Sequence, residues 1–142
     1  MAAAIFFFIY YRFCFCLPHY TGSTRKEQGF VAPLRALALS RLRPFIMGVK
    51  NKIIATPTIS IGSLSASVVH PREVFAEAIK YPCASIILVH NHPSGDPTPS
   101  REDIGVTEKL VKAGKVLDIP VLDHIIIGNK KYCSLKEKGN MG

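Results

Sequence analysis

The sequence has no Cys-x-x-Cys pair. Its four cysteines, Cys14, Cys16, Cys83 and Cys133, all fall in apolar surroundings. That pattern excludes a cysteine knuckle for a metal and offers no disulfide framework. Cys83 and Cys133 read as buried thiols, and a reducing compartment, the cytoplasm, is the expected location. Long apolar runs are also missing. Residues 1–17 are rich in Ala, Phe, Ile and Tyr but are interrupted by Arg12. They fall short of the roughly 20 apolar residues that a spanning helix needs, so no membrane span is expected. No basic segment precedes them, as a secretory signal would require. Internal repeats are absent.

Acids are scarce early in the chain, with no Asp or Glu between Glu27 and Glu73. Of the formal net charge of +8, residues 1–52 carry +7 and residues 53–142 only +1. A basic chain invites a nucleic-acid reading, but here the charge lies away from the residues that carry chemistry. Residues 21–28 read as a polar linker. Residues 31–42 read as a short basic amphipathic helix, with Leu34, Leu37, Ala38 and Leu42 on one face. The expected organisation is an N-terminal extension, residues 1–43, and one folded domain, residues 44–142.

The rest of the chain alternates strand and helix patterns. Residues 45–61 read as extended, with a turn at Lys50-Asn51-Lys52 and a strand from Ile53 to Ile61 weakened by Pro57. Pro71 suits the first position of a helix, followed by an apolar stripe of Val74, Phe75, Ala78 and Ile79. Ala84 to His90 has the length and Ile/Val content of a buried strand. A second helix is predicted over Arg101–Val116, with Val106, Leu110, Ala113 and Leu117 facing the core. Val121 to Ile127 reads as a strand, and Gly128-Asn129 turns it into a hairpin partner over Lys131 to Leu135. This order argues a layered α/β sandwich.

Chemistry concentrates where the buried strand ends. His90 and His92 are two residues apart, so on a strand both imidazoles face the same side. A loop containing three prolines and a glycine follows, and Ser100-x-x-Asp103 opens the next helix. Taken singly, each residue has an ordinary explanation. Asp103 is an acid at a helix start, Ser100 is an N-cap, and a lone histidine is a satisfied core or surface residue. The combination is harder to explain that way. Two imidazoles and one carboxylate, with a fourth position left open, form a ligand set suited to catalytic zinc. His90, His92 and Asp103 are the expected ligands of a Zn2+ ion. A zinc deaminase would need His-x-Glu and a later Pro-Cys-x-x-Cys, and neither is present.

His90-x-His92-Pro93 with Ser100-x-x-Asp103 resembles the zinc motif of the JAB/MPN (JAMM) metalloprotease superfamily. Val69-His70-Pro71-Arg72-Glu73, His90 through Asp96, and Leu122-Asp123-His124 before Ile125-Ile126-Ile127-Gly128 narrow the resemblance to its RadC group, over residues 49–139. The resemblance implies an α/β fold of the MPN, cytidine-deaminase-like type, a mixed sheet flanked by helices. It also implies a zinc-dependent metallohydrolase acting on amide or isopeptide bonds of a peptide or protein, in a group associated with DNA repair. In that pattern Ser100 faces the developing oxyanion. A glutamate on an upstream strand moves the proton, and here the sequence departs from the family. The corresponding window, residues 54–61, offers only Thr56, Pro57, Thr58 and Ser60. Glu73 and Glu77 are alternatives. Residues 44–48 also fit the family poorly, so the first strand reads as degraded. Asp123 and His124 read either as groups behind the metal ligands or as a structural pair. His70 reads as the residue leading into its helix. Beside the hydrolase stand a non-catalytic metal-binding or DNA-maintenance module and a decayed copy without the glutamate.

Overall fold

The computed structural model describes residues 41–61 and 69–141. The expected N-terminal extension, its amphipathic segment, Cys14 and Cys16 therefore lie, up to residue 40, outside the described residues. Within the described part, the strands are β1 (Arg41–Met47), β2 (Ile53–Ala55), β3 (Ser60–Ile61), β4 (Ser85–Asn91), β5 (Val121–Ile127) and β6 (Tyr132–Ser134). The helices are α1 (Pro71–Ala78) and α2 (Arg101–Val116). The fold is α/β with a mixed sheet ordered β2-β1-β4-β5-β6, and β3 also pairs with β1. β4 is antiparallel to β1 and parallel to β5, and β6 returns antiparallel to β5. No helix among the described residues is long and apolar enough to cross a membrane.

β1 was expected to be degraded, and its first three residues to lie outside the domain. Instead Arg41–Met47 is an interior strand, paired with β4 over six positions from Leu42↔His90 to Met47↔Ser85. Pro44 is accommodated because the other side of β1 is paired only at its ends. β3 takes Arg41 and Leu42, and β2 takes Ile46 and Met47. Pro44 faces the interruption between those two strands, where Pro57 also lies, so neither proline removes a ladder bond from a continuous pairing. Asn51 adopts a positive φ of 53° in the turn between β1 and β2, a conformation that asparagine tolerates better than most residues.

The core lies between the sheet and the helices. Leu42 and Ile46 of β1 and Ile86 and Leu88 of β4 pack against Val74, Phe75 and Ala78 of α1 and Val106 and Leu110 of α2. Phe45, Ile87, Val89, Ile125 and Ile127, on the other face of the sheet, are buried as well. A strand buried on both faces reads as a continuous apolar run, which explains the lack of alternation in β4. Two predicted core positions are exposed, Ile79 at 63% and Leu117 at 45%. Each is the C-cap residue just past its helix, where the periodicity of the helix no longer sets the direction of the side chain. In their place Gly114 is buried against the turn that follows α2. A Cβ there would lie 2.5 Å from the Ile119 carbonyl oxygen, so only glycine permits this approach.

Candidate metal centre

His90 is the sixth residue of β4, and its side faces α2 with Ile86 and Leu88. Asn91 points the other way, and its side-chain oxygen accepts a hydrogen bond from the Arg41 backbone N–H at 3.0 Å. His92 follows at the strand's end, its backbone N–H donating to the Ile127 carbonyl of β5 at 2.9 Å. The loop then turns at Gly95, whose φ is +83°, and enters α2 through Ser100. This entry is a capping box. The Ser100 hydroxyl accepts from the Asp103 N–H at 3.1 Å, and Asp103 Oδ2 accepts from the Ser100 N–H at 2.7 Å. The same Oδ2 accepts from the Ser100 hydroxyl at 2.7 Å. The cap that starts the helix thus also fixes the carboxylate.

His90, His92 and Asp103 come together with their ligand atoms all within 4.8 Å of one another. His90 Nε2 lies 3.3 Å from Asp103 Oδ1, and His92 Nε2 lies 3.3 Å from Asp103 Oδ2. The Nδ1 atoms are engaged elsewhere. His92 Nδ1 lies 2.7 Å from the Asp96 carbonyl oxygen, which can only accept, so this nitrogen carries the proton. His90 Nδ1 lies 2.8 Å from His124 Nε2. In the neutral His92 ring the Nε2 lone pair therefore faces an acceptor-only carboxylate.

Charge on the imidazoles does not resolve this arrangement at neutral pH for His90. Burial, only partly offset by the Asp103 carboxylate, lowers its pKa to about 4. His90 Nε2 is buried and has no hydrogen-bond partner, which in a native interior calls for an explanation. A divalent cation between two imidazole nitrogens and a carboxylate oxygen supplies one, and the donor set suits zinc.

Ser100, expected at the oxyanion, is placed beside Asp103, with its hydroxyl donating to Asp103 Oδ2. The expected Asp123–His124 pair is divided between the two faces of β5. Asp123 accepts from the Ser134 hydroxyl at 2.7 Å and from the backbone N–H groups of His124 and Lys136 at 2.7 and 3.2 Å. It ties β5 to the turn after β6 and has no contact with the cluster. His124 is buried against His90. Glu77 pairs with Lys80 at 2.6 Å, and Glu73 is an exposed acid of the first turn of α1. Among the described residues no second carboxylate joins His90, His92 and Asp103. Thr107 was not anticipated. It is fully buried one helical turn after Asp103, and its hydroxyl lies 2.6 Å from His124 Nδ1. The signal was the spacing i, i+4 on the buried face of α2, on which Asp103 and Thr107 lie in line with the apolar stripe.

The family model of the RadC-like JAB domain matches residues 30–140. A UPF0758 protein of Caldanaerobacter subterraneus is 62% identical over 106 residues, 75% of this chain and 46% of that protein. One from Methanococcoides burtonii is 60% identical over 105 residues, covering 74% and 46% respectively. One from Bacillus cereus is 62% identical over 95 residues, covering 67% and 42%. The chain spans less than half the length of these curated relatives. The matched stretch contains the whole described sheet, both helices and all three converging side chains, and on that basis the chain belongs to the RadC-like JAB domain family.

Proposed function

We propose that this domain is a zinc-dependent hydrolase of the metallopeptidase type, acting on an amide or isopeptide bond, with His90, His92 and Asp103 as the ligands. The observation that carries the reading is the pair of imidazole Nε2 atoms, each 3.3 Å from the Asp103 carboxylate, one of them buried without a hydrogen-bond partner. When bound, zinc supplies Lewis acidity toward a water molecule and a carbonyl oxygen. The chain's own groups do the rest. Asp103 Oδ2 is held by the Ser100 N–H and hydroxyl, which leaves Oδ1 as the freer oxygen for the ion. Ser100 is the donor we assign to the developing oxyanion. A rotation of its Cα–Cβ bond would move the hydroxyl from Asp103 to the substrate, while the backbone N–H keeps the carboxylate in place.

No acid of the upstream strands stands ready to move the proton. A positioned general acid or base contributes about 10²–10⁴-fold, and an amine leaves poorly without a proton. Weak or undetectable peptidase activity with a slow, zinc-dependent ester hydrolysis is therefore expected. The register points to the place where an acid would help. Ser60 is paired with Leu42, which is paired with His90, so Ser60 sits two strand spacings, about 10 Å, from His90. Thr58 is exposed in the interruption between β2 and β3.

A second reading, a metal-binding module without hydrolytic activity, is favoured by the same missing carboxylate. The test combines metal analysis with turnover. Purified protein should hold near one zinc per chain, lost in His92→Ala. Ser60→Glu should raise cleavage of a fluorogenic peptide more than Thr58→Glu does. Full zinc retention in the His90→Ala, His92→Ala double variant would remove the site. Zinc uptake with no ester or amide turnover in wild type or Ser60→Glu would favour the module.

A further inference from the structure

A chain of hydrogen bonds runs behind His90, His92 and Asp103, from the Asp103 backbone carbonyl through Thr107 and His124 to His90. The Thr107 hydroxyl lies 2.6 Å from the Asp103 backbone carbonyl oxygen. A carbonyl cannot donate, so the single hydroxyl proton must lie between these two oxygens. Thr107 Oγ1 therefore offers only a lone pair to His124 Nδ1, 2.6 Å away, and that nitrogen carries the proton. His124 is 1% exposed, and its two ring partners, Thr107 and His90, bring no negative charge. A ring buried without an anionic partner stays the neutral imidazole. Its Nε2 is then an acceptor, so His90 Nδ1 donates to it at 2.8 Å. The remaining nitrogen of His90, Nε2, presents its lone pair toward Asp103 Oδ1. The opposite polarity would put a proton on His90 Nε2 and require it to bond Asp103, yet that atom makes no hydrogen bond.

We propose that Thr107 and His124 are positioning residues for the metal centre, a relay that locks His90 in its Nδ1–H tautomer and aims the Nε2 lone pair at the ion before the ion arrives. The proposal rests on the zinc-site reading above. Its distinctive chemistry is the acceptor. Ligand histidines usually donate to a carboxylate, a backbone carbonyl or water. A carboxylate here would draw the proton from His90 and add negative charge beside the ion. A neutral imidazole fixes the same tautomer and leaves two neutral ligands and one carboxylate around a dication. The metal then keeps a net positive charge and more of its pull on a carbonyl oxygen.

The test reads protonation directly, in the full chain, without turnover. Long-range ¹H–¹⁵N NMR of the ¹⁵N-labelled, metal-free wild type should show His90 and His124 both protonated on Nδ1. Zinc affinity, measured by competition with a chromophoric chelator, should fall about 10–100-fold in Thr107→Val and recover in Thr107→Ser, which restores only the hydroxyl. His124→Asn should lose affinity similarly. Thermal unfolding of each metal-free variant separates a folding defect from weak binding. Recovery in Thr107→Ser, with equal unfolding temperatures for Val and Ser, would show that the hydroxyl and not packing matters. A metal-free wild type with His90 protonated on Nε2, or Thr107→Val binding zinc as tightly as wild type, would overturn the relay and leave the zinc site standing. A wild type with no zinc affinity would overturn the reading beneath it.

Discussion

Replacing Asp103 with asparagine separates a metal site from a plain ion pair by the sign of a stability change. In the metal-free protein the Asp103 carboxylate faces the Nε2 atoms of His90 and His92, each at 3.3 Å. An asparagine keeps one oxygen, which can take the place of Oδ2 and accept from the Ser100 N–H and hydroxyl, preserving the cap. Its amide nitrogen takes the place of Oδ1 and can donate to His90 Nε2, the buried atom that now lacks a partner. Leaving such a group unsatisfied costs about 1–3 kcal/mol, and a made hydrogen bond contributes about 1 kcal/mol net. Asp103→Asn should therefore stabilise the metal-free domain by about 1–2 kcal/mol. For a domain of this size that raises Tm by roughly 4–8 °C per kcal/mol. Circular dichroism melts in chelator at pH 8 would measure it. Adding zinc should reverse the ranking, because binding to the native state adds about 4 kcal/mol at a thousand times Kd and the variant lacks the carboxylate ligand. If His90 and His92 instead existed as imidazolium partners of Asp103, the substitution would break two ion pairs. A loss of more than 1 kcal/mol in chelator, with no zinc response in wild type, would refute the reasoning.

Two further outcomes follow from groups around the ligands. The folded-state pKa of His90 is lowered to about 4 from an ordinary 6.5, and that of His124 is also lowered. Between pH 6.5 and 4 the unfolded chain thus binds protons that the folded one does not. Stability of the metal-free protein should be complete above pH 6.5 and fall as the pH drops toward 4, and flat urea midpoints across that window would contradict the buried neutral rings. Gly128→Ala should displace the metal loop, since its Cβ would lie 2.3 Å from the Gly95 carbonyl oxygen and 2.7 Å from Pro97 Cδ. Overpacking of this kind costs about 1–3 kcal/mol. A drop in Tm accompanied by weaker zinc binding is the expected pair of readings, and unchanged values for both would show that the loop is not held there.

The elements legible in the sequence were those whose own residues carry the signal. α2 runs from Arg101 to Val116 as its capping residues and periodicity indicate, and β5 covers Val121–Ile127 as its apolar run indicates. The convergence of His90, His92 and Asp103 was legible because strand alternation and a helix start are local rules. β1 reads as degraded in the sequence because residues 44–48 fit the family poorly, whereas what accommodates Pro44, the interruption between β2 and β3 on its other side, is a property of the sheet. The parts played by His124 and Asp123 were undecided for a similar reason. Both are polar residues in an apolar strand, and only the parallel pairing Leu88↔His124 shows which one lies beside His90. Thr107 was overlooked because a threonine in a helix looks neutral until the carbonyl it bonds and the ring it faces are both known.

The close spacing of His90, His92 and Asp103 in the chain has a consequence for the denatured ensemble. His90 and Asp103 are separated by one short loop, and both histidines come from a single strand end. An ion clamping such a short loop removes somewhat less chain entropy from the unfolded protein than one closing a long loop, since that effect grows slowly with the length of the loop closed. The two histidines remain neighbours even when the sheet is gone, so the unfolded chain keeps part of a chelate at high effective concentration. Any affinity of the unfolded chain subtracts from the stabilisation that binding to the native state provides. A metal bound here should thus protect this domain from unfolding less than its affinity for the folded centre implies, and a destabilised variant can reach the unfolded ensemble with the ion still partly held.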